Sequence, residues 1–342
     1  MHHTFEMKQS TLIYSLASGY NFYYYNSAER GHVLREREFI LHHGKQKRRY
    51  YAEILPNDIA EKFCHNHWIS LIRKPVDTRN HLWPVDIVKI NGEDALVFPY
   101  RSELDKFRTI NESGGSPNEK LLSNLVEDSN YHMGLDEPKN LRFIKGFLSA
   151  LCRFEKFCYA YHEFTYCNIY IHEDTNEVMF DFSYSTYPAT DFLDGSKVAE
   201  SRINPDYADV FYYHKTTKTL DLASDYFSVA AILFKLLIGI LPYQGCLLEG
   251  EYNRTEEDHD SWIKLYHKNP VFIFDPVDKR NEISETLGPD AYLDRWERLG
   301  TQLKQMFTDV FTTDNALRKT KDPIFYPPSK WQEALARIIE IL

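Results

Sequence analysis

A chain of 342 residues is long enough for two lobes with separate cores, and 43% apolar with 26% charged residues excludes wholesale disorder. Lys and Arg number 40 against 50 Asp and Glu, and a net charge of −10 argues against a nucleic acid as the main partner. Five cysteines without a C-x-x-C pair point to reduced thiols and a cytoplasmic protein rather than a disulfide framework.

The opening MHHTFEMKQS has no apolar stretch and no cleavage signature, so no signal peptide is expected. Strands are predicted in TLIYSLASGYNFYYYNS, HVLREREFILHH and RRYYAEIL, all rich in aromatic and β-branched residues, with a turn at HHGKQK. The basic run Lys45–Arg49 falls on that turn and reads as solvated. PNDIAEKFCHNHWISLI then reads as one helix started by Pro-Asn-Asp. Its Cys64-His65-Asn66-His67 has metal-ligand residue types but no second close pair, so it reads as a polar helix face. LWPVDIVKINGEDALVFPY predicts two strands about an Asn91-Gly92 hairpin turn.

From Ser102 the pattern turns helical. A polar stretch with Gly114-Gly115, up to Lys139, reads as a helix flanked by loops. NLRFIKGFLSALCRFEKFCYAYH reads as one long amphipathic helix, followed by helices in DYFSVAAILFKLLIGI, DRWERLGTQLKQMFTDVF and PPSKWQEALARIIEIL. The apolar run from Phe227 is broken by Lys235 and falls short of the ~18 residues a membrane span needs, so it is a buried core helix and no membrane partner is expected. The fold class read from this order is α+β.

Specific motifs lie in the second part. Ser224–Gly245, SDYFSVAAILFKLLIGILPYQG, resembles the αF segment of protein kinases at Asp225, Ser228, Ile232, Leu233, Leu236, Leu237, Gly239, Pro242 and Gly245. The resemblance implies that Asp225 is buried and holds the backbone of the catalytic loop. Upstream, Tyr161-His162-Glu163 stands in the slots of H-R-D, with Asn168 in the asparagine slot. A short hairpin, IYIHEDTNEVMF, then leads to Asp181-Phe182-Ser183 in the place of D-F-G. By this resemblance Glu163 is the degenerate catalytic residue, and Asn168 and Asp181 hold Mg on the phosphates of ATP.

Nearly the whole chain resembles a bacterial branch of kinase-like proteins encoded beside von Willebrand A-type and PP2C-type phosphatase proteins. The matching features are Trp83-Pro84-Val85-Asp86, Tyr161 for the catalytic-loop histidine, NPVFIFDPVD from Asn269 to Asp278, and Trp331 in a terminal helix. The resemblance implies a bilobal fold, with an N-lobe over 1–100 and a C-lobe over 101–342. It also implies protein partners of those two types, and nucleotide contacts at Gly19, Ala52, Phe98 and Tyr100.

The departures bear on chemistry. LASGYNFYYY keeps one glycine, Gly19, and its Tyr20 and Phe22 crowd a backbone that must approach phosphates. Aligning Ala52 with the alanine of A-x-K puts Ile54 where the phosphate-binding lysine belongs, leaving Glu61 as a helix glutamate without that partner. Glu163 adds a methylene to the usual aspartate, and an ångström of misplacement can cost ~10²-fold. The expectation is a catalytically impaired kinase-like protein that acts by nucleotide or partner binding. The alternatives are an active atypical Ser/Thr kinase, with Lys62 or Arg49 replacing the lysine, and nucleotidyl transfer on the same fold.

Overall fold

The computed structural model describes residues 11–18, 21–24, 38–43, 49–76, 80–99, 134–135, 137–162, 164, 169–171, 178–188, 193–194, 206–214, 219–247, 266–268 and 270–339. The fold is mixed α+β. It divides into one unit of Met1–Pro117 with Met179–Tyr184 and another of Asn118–Val178 with Ser185–Leu342.

The first unit is built on one sheet. Strands β1 (Thr11–Tyr14), β2 (Asn21–Tyr24), β3 (Glu38–His43), β4 (Arg49–Ile54), β5 (Asp86–Ile90) and β6 (Glu93–Pro99) lie in the order β1-β2-β3-β4-β6-β5, each pair antiparallel. The outer strands meet as well: Ser15 bridges Val88, and Leu16 N–H donates to the Ile87 carbonyl at 2.9 Å. The sheet therefore closes on itself, which protects its edges. Its interior collects alternate residues from every strand, among them Ile13, Phe22, Leu41, Ala52, Ile54, Val88 and Val97. The Asn91-Gly92 turn joins β5 to β6 with φ of 54° and 89°, the left-handed pair that a two-residue hairpin requires.

The predicted single helix after β4 is two: α1 (Asn57–Lys62) and α2 (His65–Arg73). The chain is extended at Phe63, with φ −117° and ψ 127°. Phe63 is buried there, its ring 4.6 Å from that of His67. The break turns α2 so that Trp68 is also buried.

Trp83-Pro84-Val85-Asp86 has a structural role at both ends. Trp83 Nε1 donates to the Leu71 carbonyl at 3.0 Å and so caps the last turn of α2. Asp86 is fully buried, and its Oδ1 accepts from Ser15 Oγ at 2.9 Å, Ala17 N at 3.3 Å and Ile87 N at 2.8 Å. Its Oδ2 accepts from Ser18 Oγ. A buried carboxylate is tolerable because these donors surround it. They tie the segment leading to Gly19 to the closing edge of the sheet.

The second unit is helical. Its described helices are α3 (Pro138–Glu155), α4 (Val210–His214), α5 (Leu222–Ile238), α6 (Pro289–Arg298), α7 (Thr301–Phe311), α8 (Thr313–Ala316) and α9 (Pro328–Ile339). The long helix expected to run to His162 ends at Glu155; Cys158 has φ 57°, and β7 (Tyr159–Ala160) follows. The helix expected over DRWERLGTQLKQMFTDVF is likewise two, because Gly300, with ψ 156°, starts α7 afresh.

Helix α5 is buried along nearly its whole length. Asp221 and Ser224 form a capping box at its start, and Gly239, at φ 100°, ends it. Around Phe234 pack Phe272, Phe307, Phe311 and Trp296, and Trp331 of α9 lies 4.7 Å from Phe307. Gly245 admits no side chain: a Cβ there would stand 2.4 Å from Asn281 Oδ1 and 2.7 Å from the Glu282 carbonyl.

Candidate functional site

In the helical unit the site is organised by Asp225, 5% exposed in the first turn of α5. Its Oδ2 accepts from the Tyr161 amide at 2.5 Å and its Oδ1 from the His162 amide at 2.9 Å. His162 Nδ1 stands 3.1 Å from the same Oδ1 but is not aligned as a hydrogen bond. His162 has φ 61°, a left-handed conformation that costs a non-glycine residue roughly 1–2 kcal/mol. Two charge-assisted bonds from its own amide and its neighbour's hold it there. This is the contact expected from the motif, between the residues named for it.

A second buried charge network stands one turn away. Arg318, itself at φ 51°, donates through Nη1 to Asp221 Oδ2 at 2.6 Å and through Nη2 to Asp209 Oδ2 at 2.7 Å. Ser224 Oγ also donates to Asp209 Oδ2, at 3.0 Å. The Arg318 guanidinium lies 4.6 Å over the Phe211 ring. Burial pushes the Asp209 carboxyl above its ordinary range, and the Arg318 charge works against that rise. The sequence reading missed this network; the signal within reach was the acid pair Asp209 and Asp221, each directly before a helix.

In the first unit, Asp181 is half-buried and its Oδ1 accepts from the Phe182 amide at 2.9 Å. Backbone bonds place this segment: Leu82 N–H donates to the Phe180 carbonyl and the Phe180 amide to the Asn80 carbonyl, both at 2.8 Å. Phe182 is buried against Trp83, Phe98 and Trp68, at ring distances of 5.4, 5.7 and 6.3 Å.

The residue of β4 on this side is Glu53. Its charge acts on the buried Tyr184 hydroxyl. Burial first, then the charges of Glu53 and Asp181 among others, push that phenol well above its usual range, so it stays protonated. Tyr51, two residues back on the same face, stacks on Phe98 at 5.0 Å. Ala52 and Ile54 point the other way, into the closed apolar interior. Ile54, expected in the slot of the lysine, thus lies in the apolar interior, and Glu53 is the β4 side chain near Tyr184 of the Asp181 segment.

Ala52 and Phe98 are 0% and 1% exposed and present no surface to a ligand in this structure. Glu61 is exposed on α1, whereas the helix that packs on Phe182 is α2, through Trp68. Arg49 is exposed at the start of β4, and Lys62 is half-buried in the last turn of α1. Gly19, Tyr100, Glu163 and Asn168 lie outside the described residues, as do the HHGKQK turn and the stretch around Gly114-Gly115. Among the described residues no cluster of His, Cys, Asp and Glu is set to hold a metal ion, and no helix is long and apolar enough to cross a membrane.

No protein-family model matches the chain, and no curated protein matches it.

Proposed function

We propose that the chain is a bilobal, protein kinase-like protein with impaired phosphotransfer, acting in the bacterial cytoplasm by binding a nucleotide, a protein partner or both. The observation that carries the impaired reading is Glu53. Where the kinase pattern calls for a lysine facing the Asp181 segment, β4 offers the Glu53 carboxylate, whose charge is felt at Tyr184 of that segment. A carboxylate there repels phosphate oxygens and cannot align them. The kinase-like reading itself rests on Asp225, whose grip on the Tyr161 and His162 amides is the one the αF motif implies.

The donor types fit a divalent cation better than a bare nucleotide. Asp181 supplies carboxylate oxygens suited to Mg²⁺, and Asn168 is its sequence partner for that role. When bound, Mg²⁺ would screen the phosphate charge that Glu53 repels. The partners supported by the sequence resemblance are von Willebrand A-type and PP2C-type phosphatase proteins. The test is a melting curve with ATP, with and without Mg²⁺. Ligand at a hundred times its dissociation constant adds ~2.7 kcal/mol of stability. The reading expects a shift that needs the metal and is lost in Asp181→Asn; an equal shift in EDTA would overturn the metal role, and no shift in either would leave partner binding alone.

A further inference from the structure

The helical unit contains a cavity of about 370 Å³ that the kinase-like reading does not use. That volume lies within the ~300–1,000 Å³ of small-molecule sites. Leu151 and Phe154 of α3, Phe164, and Leu222 and Val229 of α5 supply apolar walls. The polar part is acidic. Glu155 is half-buried on the lining, with Ser329 N and Oγ near its oxygens at 3.4 and 3.3 Å. Tyr226 also lines the space, and burial, followed by the charges of Glu155 and Asp225, pushes its hydroxyl up to about 12. It is a neutral donor in an anionic setting. Among the described lining residues none is Lys or Arg.

We propose that this cavity binds a small molecule with an apolar body of aryl-alkyl size and a cationic amine head that pairs with Glu155. A carboxylate head of the same size is repelled by Glu155 and finds no cation among the described lining residues. The lining includes Asp225 itself, so an occupant is linked through that carboxylate to the Tyr161–His162 backbone. The proposal does not depend on any phosphotransfer by the chain.

Cys158, exposed on the lining, gives a readout. The full chain is treated with N-ethylmaleimide in the presence of phenylbutylamine or phenylbutyrate, and labelling of Cys158 is followed by mass spectrometry with exposed Cys64 as internal control. The amine is expected to slow labelling of Cys158 and not of Cys64, and the carboxylate to do neither. Glu155→Gln should weaken the amine's effect about tenfold, the worth of one charge-assisted bond. Leu222→Trp, which fills the cavity, should abolish it. Equal protection by both probes, no protection at millimolar amine, or full protection in Glu155→Gln would each overturn the proposal. The Glu155→Gln arm stands by itself should Leu222→Trp fail to fold.

Discussion

The backbone amide of His162 donates to Asp225 at 2.9 Å while His162 sits at φ 61°, so a buried carboxylate fixes a left-handed residue. Removing the carboxylate leaves two buried amides unpaired and the left-handed backbone without its support. Asp225→Ala should cost ~2–5 kcal/mol in urea unfolding of the helical unit. Asp225→Asn, which keeps an acceptor oxygen, should cost less. Glu163→Ala, a change at the expected chemical group, should leave stability within ~0.5 kcal/mol. Equal losses in all three variants would contradict the clamp.

The two faces of β4 predict opposite outcomes for a lysine. Ile54→Lys drives an ammonium into the apolar interior with Ile13, Phe22 and Leu41, and should cost several kcal/mol or prevent folding. Glu53→Lys places the same charge on the Asp181 side and should be tolerated within ~2 kcal/mol. It should also strengthen any binding of ATP. Melting temperatures of the two variants, with and without ATP, check both statements.

Asp86 should matter as a fastener rather than as a chemical group. Asp86→Ala strips the acceptor from Ser15, Ser18 and two backbone amides, at ~2–4 kcal/mol. The loss should open the closing edge first. Hydrogen exchange at the Leu16 amide, which donates to Ile87, should accelerate more than exchange at amides between β3 and β4.

Arg318 should make stability depend on pH with a definite sign. Burial raises the folded-state pKa of Asp209, so its contribution is most favourable below the unfolded value and is lost as pH rises through the folded one. Arg318→Met removes the charge that opposes the rise and should cost ~3–5 kcal/mol near neutrality. The deficit should be smaller at about pH 5 than at about pH 7.5. Adding Asp209→Asn should flatten that dependence. Denaturant titrations at the two pH values read it directly.

What was legible in the sequence follows from how local each signal is. The Asn91-Gly92 turn declares itself because only a left-handed pair closes that hairpin, and the Asp225 clamp because the motif carries a charge into an apolar helix. The face of β4 was not legible. In RYYAEI both faces carry aromatic or apolar residues, and only closure of the sheet makes Ala52 and Ile54 interior. The break between α1 and α2 was hidden because the apolar spacing runs on through Phe63. Arg318 left no local trace: its acidic partners lie 97 and 109 residues away along the chain.

In the proposed function, Asp225 keeps a kinase-like clamp and Glu53 supplies no charge that could align phosphates. Transfer of radiolabelled γ-phosphate from Mg-ATP, to the protein itself and to a mixed Ser/Thr peptide library, tests it most directly. No transfer above the protein-free background is expected. Robust, metal-dependent transfer by the unaltered chain, abolished by Glu163→Gln, would contradict it.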